Sequence, residues 1–327
     1  MRALIVCQAG KGIGLGHVSR CIVIAASLQH RLGASVQFVI QGEKVQRTEF
    51  DALRCDYLEP EANLTQWLCG VTAAELLILD LQPQRLPSDL LPALKRLRSR
   101  GIKVVAVDGL LQYRQDLDLI FVPSFLSNVQ DGSEGSAPVV SGWDCFLLDD
   151  RALPVAWKPG PRVLALTGGS DATGLGQHWP AQLAQALPAQ SELHWVTGPF
   201  AAAPRFPDQA HVEFRQHIAP QGLTRLMQTM HYAVTIYGVS FFELLKSGIP
   251  TVVFSPYCGR DAAELAVIRD IGIAVVASDE IDASKQLSRL MHDHTRAGEL
   301  SARAAALLAP SGGIRFASEV QALFHES

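Results

Sequence analysis

Residues 3–20, ALIVCQAGKGIGLGHVSR, decide the fold class of this chain. A short apolar run at residues 3–7 is followed by a turn with four glycines and then by an amphipathic segment, residues 18–31. The run has the length and composition of a buried parallel strand, and the amphipathic segment has the apolar spacing of a helix. This order of strand, glycine turn and helix predicts the first βα unit of a doubly wound α/β domain.

The same alternation continues along the chain. Two sets of βα units predict two doubly wound domains, residues 1–152 and 153–327, joined in the proline-containing stretch 149–161, with the last helix packing back on the first domain. The predicted strands are residues 3–7, 36–40, 76–79, 104–107 and 119–122 in the first half and residues 163–166, 193–196, 212–214, 233–236, 252–254 and 273–276 in the second. The predicted helices are residues 18–31, 90–100, 176–186, 223–230, 240–246, 262–271, 283–291 and 296–308.

Composition excludes several classes of protein. The 327 residues are 48% hydrophobic and 18% charged, as in a soluble globular protein rather than a disordered one. Twenty-eight basic against 32 acidic residues give a net charge of −4, which is too balanced for a nucleic-acid partner to be expected. Apolar runs are too short for a signal peptide or a spanning helix, and six scattered cysteines without a CxxC pair predict free thiols. We therefore expect a cytoplasmic protein.

The first glycine turn places a histidine at the start of a helix. Its glycines, within residues 10–16, fit neither GxGxxG nor GK[ST], so the turn is not a dinucleotide or P-loop fingerprint. Ligands of doubly wound folds bind where strands end, so Gly14, Gly16 and His17 are predicted to face a ligand. His17 suits a neutral general base, and the alternative is a histidine that only caps the helix. Arg20, one turn further on, either meets an anionic ligand or is solvated.

Two loops of the second half have the features of a diphosphate site. LTGGSD, residues 166–171, follows a strand, and the alternative is an ordinary turn capped by Ser or Asp. YGVSFFELLKSGIP, residues 237–250, leads from a strand into a helix whose first N–H groups could bind phosphate. Glu243, expected in the first helical turn, could accept both hydroxyls of a ribose or serve as a plain partner of the helix dipole. The predicted nucleotide-binding residues are Gly168, Gly169, Ser170, Asp171, Gly238, Val239, Ser240 and Glu243.

These motifs resemble the GT-B superfamily of nucleotide-sugar enzymes. Within it the resemblance is to the branch of the UDP-sugar hydrolase of pseudaminic acid biosynthesis and the spore-coat-type glycosyltransferases. GLGHVSR at residues 14–20, GGSD at 168–171 and GxSxxExxxxGIP at 238–250 fall in the order of that family. The resemblance implies two Rossmann-like domains facing across a cleft, with a nucleotide sugar, UDP-linked or of another nucleotide, on the C-terminal domain.

The resemblance also implies roles for residues of the N-terminal domain. His17 would deprotonate the attacking hydroxyl or water, and attack opposite the departing UDP would invert the anomeric centre. Helix ends would stabilise the diphosphate, so no cofactor and no metal are implied. Asp80 and Asp108, which follow predicted strands, would meet the sugar or merely cap turns.

Two segments depart from the hydrolase pattern. Residues 149–152 read DDRA where the hydrolases usually have RPEF. Residues 255–265 lack their Asn-Gln pair, so Arg260, Asp261 or Glu264 would serve there or the contact is absent. Both departures favour a glycosyltransferase of cell-surface glycan biosynthesis over a nucleotide-sugar hydrolase. An inactive nucleotide-sugar-binding protein is the third alternative. The acceptor would be a glycan or a lipid-linked sugar, and the basic run 95–103 suggests weak peripheral attraction to an anionic membrane.

Overall fold

The computed structural model describes residues 1–87, 89–126, 136–151, 153–209 and 211–325. The chain divides into two compact units. The first unit combines Met1–Leu147 with the C-terminal segment from Pro310 on, and the second is Leu148–Ala309. The boundary between the two units therefore falls after residue 147. The sequence predicted a boundary after residue 152, which is not among the described residues.

The first unit is built on a seven-stranded parallel sheet in the order β3-β2-β1-β4-β5-β6-β7. Strand β1 lies between β2 and β4, where the order of the strands reverses, and ligands of such sheets bind at the carboxyl side of this point. The strands are β1 (Arg2–Ala9), β2 (Ser35–Gly42), β3 (Arg54–Leu58), β4 (Leu76–Asp80), β5 (Lys103–Val107), β6 (Leu119–Val122) and β7 (Val139–Ser141), and the helices are α1 (Gly16–Leu32), α2 (Leu64–Cys69), α3 (Leu91–Ser99) and the C-terminal α10 (Gly312–His325).

Helix α10 packs closely enough on the first unit to need two glycines at its start. A Cβ added at Gly313 would collide with Oγ of Ser27 in α1, and one added at Gly312 would collide with the carbonyl of Phe146. The backbone of α10 therefore lies directly against side chains of α1, and this close packing assigns the last helix to the first unit.

The second unit repeats the architecture with six parallel strands in the order β10-β9-β8-β11-β12-β13. Its core contains Trp179, whose ring makes edge contacts with Trp195 and Phe254 at centroid distances of 6.0 and 5.3 Å. The strands are β8 (Arg162–Leu166), β9 (Glu192–Thr197), β10 (Glu213–Ile218), β11 (Tyr232–Ile236), β12 (Thr251–Phe254) and β13 (Val275–Val276), and the helices are α4 (Trp179–Ala186), α5 (Leu223–Met227), α6 (Val239–Lys246), α7 (Ala262–Ile271), α8 (Glu280–His292) and α9 (His294–Leu307).

The two predicted doubly wound α/β units are confirmed, but some predicted elements are wrong in extent. The helix expected from residue 176 begins at Trp179, because a short 3-10 turn, Leu175–Gln177, precedes it. The last strand is only Val275–Val276, and β3 and β7 were not predicted. All six cysteines are free thiols, as expected. No helix in the described part of the chain combines the length and apolar character needed to cross a bilayer.

Candidate functional site

The turn after β1 is held in place by its own backbone and by one carboxylate. The carbonyl of Gly10 accepts hydrogen bonds from the N–H groups of Ile13 and Gly14 at 3.0 and 2.9 Å. Glu43, which follows β2, accepts from the N–H of Lys11 at 2.9 Å. Gly14 has a φ of +79°, a conformation that favours glycine, and this turn brings the chain to the start of α1 at Gly16.

His17 is the second residue of α1, and its ring is bound to a buried carboxylate. Its Nδ1 lies 2.7 Å from Oδ1 of Asp80, the last residue of β4. The sheet brings the two together because Asp80 pairs in register with Cys7, near the end of β1. Asp80 therefore fixes the orientation of the His17 ring. The alternative that His17 only caps the helix is wrong, because the start of α1 has no side-chain cap.

Arg20 keeps Asp80 ionised. Its Nε and Nη2 each donate to a different oxygen of Asp80 at 2.6 Å, and the Asp80 side chain is 0% exposed. Burial by itself raises the pKa of this carboxyl, but the charges and hydrogen bonds of Arg20 and His17 outweigh burial and lower the pKa to about 2.

The ionised state of Asp80 determines the tautomer of His17. An ionised carboxylate only accepts hydrogen bonds, so Nδ1 of His17 must carry the proton between them. Nη2 of Arg20 donates to the same oxygen, and its 3.1 Å separation from Nδ1 is the third side of this triangle of atoms. Nε2 of an uncharged His17 consequently keeps its lone pair and can accept a proton from a bound molecule.

Arg20 also reaches a second carboxylate. Its Nη1 donates to Oδ2 of Asp108 at 2.7 Å, and the side chain of Asp108 is 44% exposed. Burial lowers the pKa of Arg20, but Asp80 and Asp108 raise it above its ordinary value, so the guanidinium stays charged. The alternative of a solvated Arg20 is therefore wrong. Because the Asp80 side chain has no exposed surface, the expectation that it meets the sugar is wrong, whereas Asp108, at a φ of +57°, has an exposed side chain that a ligand could contact.

A buried thiol also contacts the Asp80 carboxylate, and no local sequence pattern predicted its place in the site. Sγ of Cys21, one residue after Arg20 in α1, is 3.5 Å from Oδ2 of Asp80. Burial, together with neighbouring Cys7, raises the pKa of Cys21 well above its ordinary value, so it remains a neutral thiol. Cys21 therefore packs against Asp80 without adding a competing negative charge.

In the second unit, the loop after β8 is shaped by Asp171. Its two carboxylate oxygens accept from the N–H groups of Leu175 and Gly176 at 3.0 and 2.8 Å. The helix start expected here is therefore absent: the amides of the 3-10 turn already have a partner, and α4 begins only at Trp179. Asp171 holds the turn itself.

The glycines of the same loop pack against the loop after β9. The carbonyl of Gly169 accepts from the N–H of Phe200 at 3.0 Å. A Cβ added at Gly198 would collide with the Gly169 backbone, so Gly198 must lack a side chain. Gly168 has a φ of +82°, and with Ser170 it continues the loop at the carboxyl end of β8.

Helix α6 offers an uncapped amino end at the carboxyl end of β11. Gly238 is its N-cap and brings no side chain, and the N–H of Phe241 bonds back to the Gly238 carbonyl at 3.1 Å. Val239 and Ser240 are thus the first two helical residues, where N–H groups and the helix dipole favour an anion. Glu243 is the fifth helical residue, so its expected place in the first turn is wrong.

The loop after β12 presents an exposed arginine. Oγ of Ser255 donates to Oδ2 of Asp261 at 2.5 Å, and Nε of Arg260 lies 3.1 Å from the other oxygen of Asp261. The guanidinium of Arg260 also lies over the ring of Tyr257, 4.0 Å from its centroid, with 62% of its side chain exposed. Because β8, β11 and β12 are adjacent and parallel, their three loops lie at the same edge of the sheet.

One acidic residue of the segment 149–152 has a structural partner on α6. Oδ1 of Asp150 lies 2.8 Å from Nζ of Lys246, at the end of α6, and the side chain of Lys246 is only 7% exposed. The segment thereby anchors α6.

Two arginines of the basic run 95–103 bind backbone carbonyls of the first unit. Arg98 donates to the carbonyl of Gln115, and Arg100 donates to the carbonyl of Val71.

No three His, Cys, Asp or Glu side chains come together as a metal site would require, within the described ranges of the chain. In the first unit the structure brings together His17, Arg20, Asp80 and Asp108. In the second unit the loops with Gly168, Gly238 and Arg260 share one sheet edge.

Comparison with known proteins identifies the fold. The chain matches no protein-family model and no curated protein. It is similar over 98% of its length to all of MurG from Acinetobacter baumannii, at 15% identity and a TM-score of 0.61. It is similar over 99% of its length to all of UGT2 from Phytolacca americana, in complex with UDP-2fluoro-glucose and pterostilbene, at 13% identity and a TM-score of 0.65. It also resembles a putative UDP-N-acetylglucosamine 2-epimerase from Listeria monocytogenes, at 10% identity, with coverage of 100% and 98% and a TM-score of 0.62. These similarities establish that the chain has the GT-B fold, with two Rossmann-like units.

Proposed function

We propose that the chain transfers a sugar from a UDP-type nucleotide sugar to the hydroxyl of a glycan or lipid-linked acceptor, as a metal-independent inverting glycosyltransferase of cell-surface glycan biosynthesis. The observation that carries the proposal is the pairing of His17 with a buried, ionised Asp80, which leaves Nε2 of His17 as a proton acceptor. The GT-B fold supports it, since a protein with a similar fold, UGT2, is in complex with UDP-2fluoro-glucose.

In the proposed reaction Nε2 of His17 takes the proton of the acceptor hydroxyl while the hydroxyl oxygen attacks the anomeric carbon. The bond between that carbon and the diphosphate oxygen breaks, and the diphosphate leaves with its electron pair. Attack opposite the leaving group inverts the anomeric centre. The imidazolium formed is stabilised by the carboxylate of Asp80, which Arg20 holds in its ionised form.

The second unit would bind the nucleotide. The N–H groups at the start of α6 and the guanidinium of Arg260 supply positive charge for the departing diphosphate. Glu243 would accept the ribose hydroxyls, and Asp171 would keep the glycine loop in shape. On the first unit, Gly14, Gly16 and Asp108 would contact the sugar. The remaining proposed nucleotide contacts are Gly168, Gly169, Ser170, Gly238, Val239 and Ser240.

The experiment measures UDP release from a panel of UDP-sugars, with and without glycan and lipid-linked acceptors. We expect turnover that depends on an acceptor and falls by roughly 10²–10⁴ in His17→Gln, the usual loss for a general base. Nucleotide affinity should stay unchanged in this variant. His30→Gln, an exposed histidine in the last turn of the same helix, is the matched control and should keep full activity. A His17→Gln variant with the wild-type rate would remove His17 from the mechanism.

The hydrolase alternative rests on the combination of GLGH and GGSD in one chain. It predicts rapid UDP release with water alone, abolished by His17→Gln. Tight nucleotide binding without turnover of any donor would instead identify an inactive binding protein, and no binding of any nucleotide sugar would reject all three.

A further inference from the structure

A basic cavity of about 340 Å³ lies in the second unit, beside the edge strand β13. Three arginines line it: Arg269 from the last turn of α7, and Arg296 and Arg303 from α9. The carboxylate among the lining residues is Glu299, also from α9. The cavity thus collects cationic side chains from two helices that are separate in sequence.

The positive charges exceed what the lining can neutralise. Glu299 pairs with Arg303, one helical turn away, at 3.2 Å. Among the described residues no carboxylate lies within ion-pair distance of Arg269 or Arg296. Three guanidinium groups around one cavity repel each other, and an anion bound between them would relieve this repulsion.

The cavity wall beside the guanidinium groups consists of apolar side chains and bare backbone. Val275 and Leu300 provide buried apolar side chains. Gly272, which ends α7 at a φ of +65°, would place an added Cβ 2.9 Å from Nη1 of Arg303. The Arg303 guanidinium therefore rests against the bare backbone of the turn. Planar guanidinium groups on such a surface suit the oxygens of phosphate groups, which they bind in pairs.

This cavity is separate from the loops proposed to bind the nucleotide. Gly272 precedes β13, at the amino side of the parallel strands, whereas Gly238 and Ser255 follow β11 and β12 at the carboxyl side. Parallel strands place these ends at opposite edges of the sheet. A ligand at Gly272 would therefore occupy a second site.

We propose that the cavity binds a compact anionic ligand through a phosphate or diphosphate group held by Arg269, Arg296 and Arg303. Its volume is at the lower end of the roughly 300–1,000 Å³ typical of small-molecule sites, so the bound portion is small. This proposal does not depend on the proposed function, because none of its residues belongs to the loops assigned to the nucleotide.

Protection from chemical modification tests the site directly. The intact protein is treated with phenylglyoxal, which modifies exposed arginines, with and without inorganic pyrophosphate, and each arginine is quantified by mass spectrometry. We expect pyrophosphate to slow modification of Arg269, Arg296 and Arg303 several-fold. Arg289, exposed on α8 and outside the cavity, is the internal control and should react at the same rate. If pyrophosphate changed the modification rate of none of the four arginines, or slowed all four to the same extent, the proposal would be overturned.

Calorimetry with inorganic pyrophosphate provides the second measurement. Loss of a charge-assisted hydrogen bond typically costs a factor of ten or more, so Arg296→Gln should weaken binding at this site by roughly ten-fold, and Arg289→Gln should not. Sedimentation with phosphatidylglycerol–phosphatidylcholine vesicles distinguishes a lipid headgroup from a soluble phosphate. Binding weakened by Arg296→Gln in the vesicle assay assigns the phosphate to a lipid, and binding weakened only in solution assigns it to a soluble molecule. Pyrophosphate and vesicle binding both unchanged in Arg296→Gln would contradict the assignment.

Discussion

Replacement of Asp80 by asparagine should destabilise the first unit and leave the second intact. Asp80 accepts hydrogen bonds from Arg20 at two positions and from His17 at one, with no exposed side-chain surface. In Asp80→Asn the amide keeps one accepting oxygen but turns an NH₂ group toward donors of Arg20. The guanidinium would then be buried with only Asp108 as an ionised partner.

The size of the effect follows from burial and from the pKa. Folding moves the pKa of Asp80 from 3.8 to about 2, which corresponds to about 2 kcal/mol of stability at neutral pH. Leaving the other charge of a buried pair without its partner raises the total cost to roughly 3–5 kcal/mol. Exchange of protected amide hydrogens in α1 should accordingly become roughly 10²–10⁴ times faster.

Hydrogen exchange followed by mass spectrometry measures this loss for each unit in one experiment. Peptides from α1 and β4 should exchange faster, and peptides from β8 and β11 should not change. Asp118→Asn is the matched control, because Asp118 is another carboxylate of the first unit with an ion-pair partner, Lys103 at 3.7 Å, but it is only partly buried and does not contact His17. It should cost only about 1 kcal/mol. Unchanged protection of α1 in Asp80→Asn would refute the reasoning.

Further predictions concern acid stability and the glycine loop. Because the folded-state pKa of Asp80 is depressed, its contribution to stability is complete above about pH 4 and is lost as the pH falls toward 2; denaturant unfolding across this range should show a larger loss of stability in the wild type than in Asp80→Asn. Gly198→Ala forces a Cβ into the backbone of Gly169 and should cost roughly 1–3 kcal/mol and weaken UDP binding, measured by thermal unfolding and calorimetry. In Gly298→Ala, inside α9, the new Cβ would contact Trp157 at 3.7 Å, and this control should be more stable by about 0.5–1 kcal/mol with unchanged UDP binding.

The central strands could be predicted because they are buried on both faces. Strands such as β4 and β12 are continuous apolar runs that end at polar or glycine-containing loops. The two missed strands, β3 and β7, lie at the edges of their sheet and are only half-buried, so their sequences lack that run. A strand that is only half-buried does not need a continuous run of apolar residues, and that run was the pattern from which strands were predicted.

The site could be predicted only where a local pattern marks it. The glycine turn identified His17 because the turn and the helix start are adjacent in sequence. The partnership with Asp80 depends on the pairing of β1 with β4, which joins residues more than sixty positions apart and leaves no local trace. The sequence did not decide whether Arg20 meets an anionic ligand or is solvated, because a single arginine on a helix is most often solvated.

The arginine cavity shows the same limit of local patterns. Arg269, Arg296 and Arg303 each resemble an ordinary exposed residue of an amphipathic helix. Only the packing of α9 beside the end of α7 places them around one cavity. The position predicted for Glu243 in the first helical turn was wrong by one residue. Gly238 ends the turn directly after Tyr237, so α6 begins at Val239, one residue earlier than the pattern indicated.

The most direct test of the central claim is the tautomer of His17, measured by nitrogen NMR of the imidazole at neutral pH. A protein labelled with ¹⁵N-histidine, compared with its His17→Gln variant, identifies the two nitrogen signals of this residue. We predict a protonated Nδ1, bound to Asp80, and an unprotonated Nε2, with this pattern lost in Asp80→Asn. A proton on Nε2 and none on Nδ1 would contradict the account, because His17 would then present no proton acceptor to a substrate.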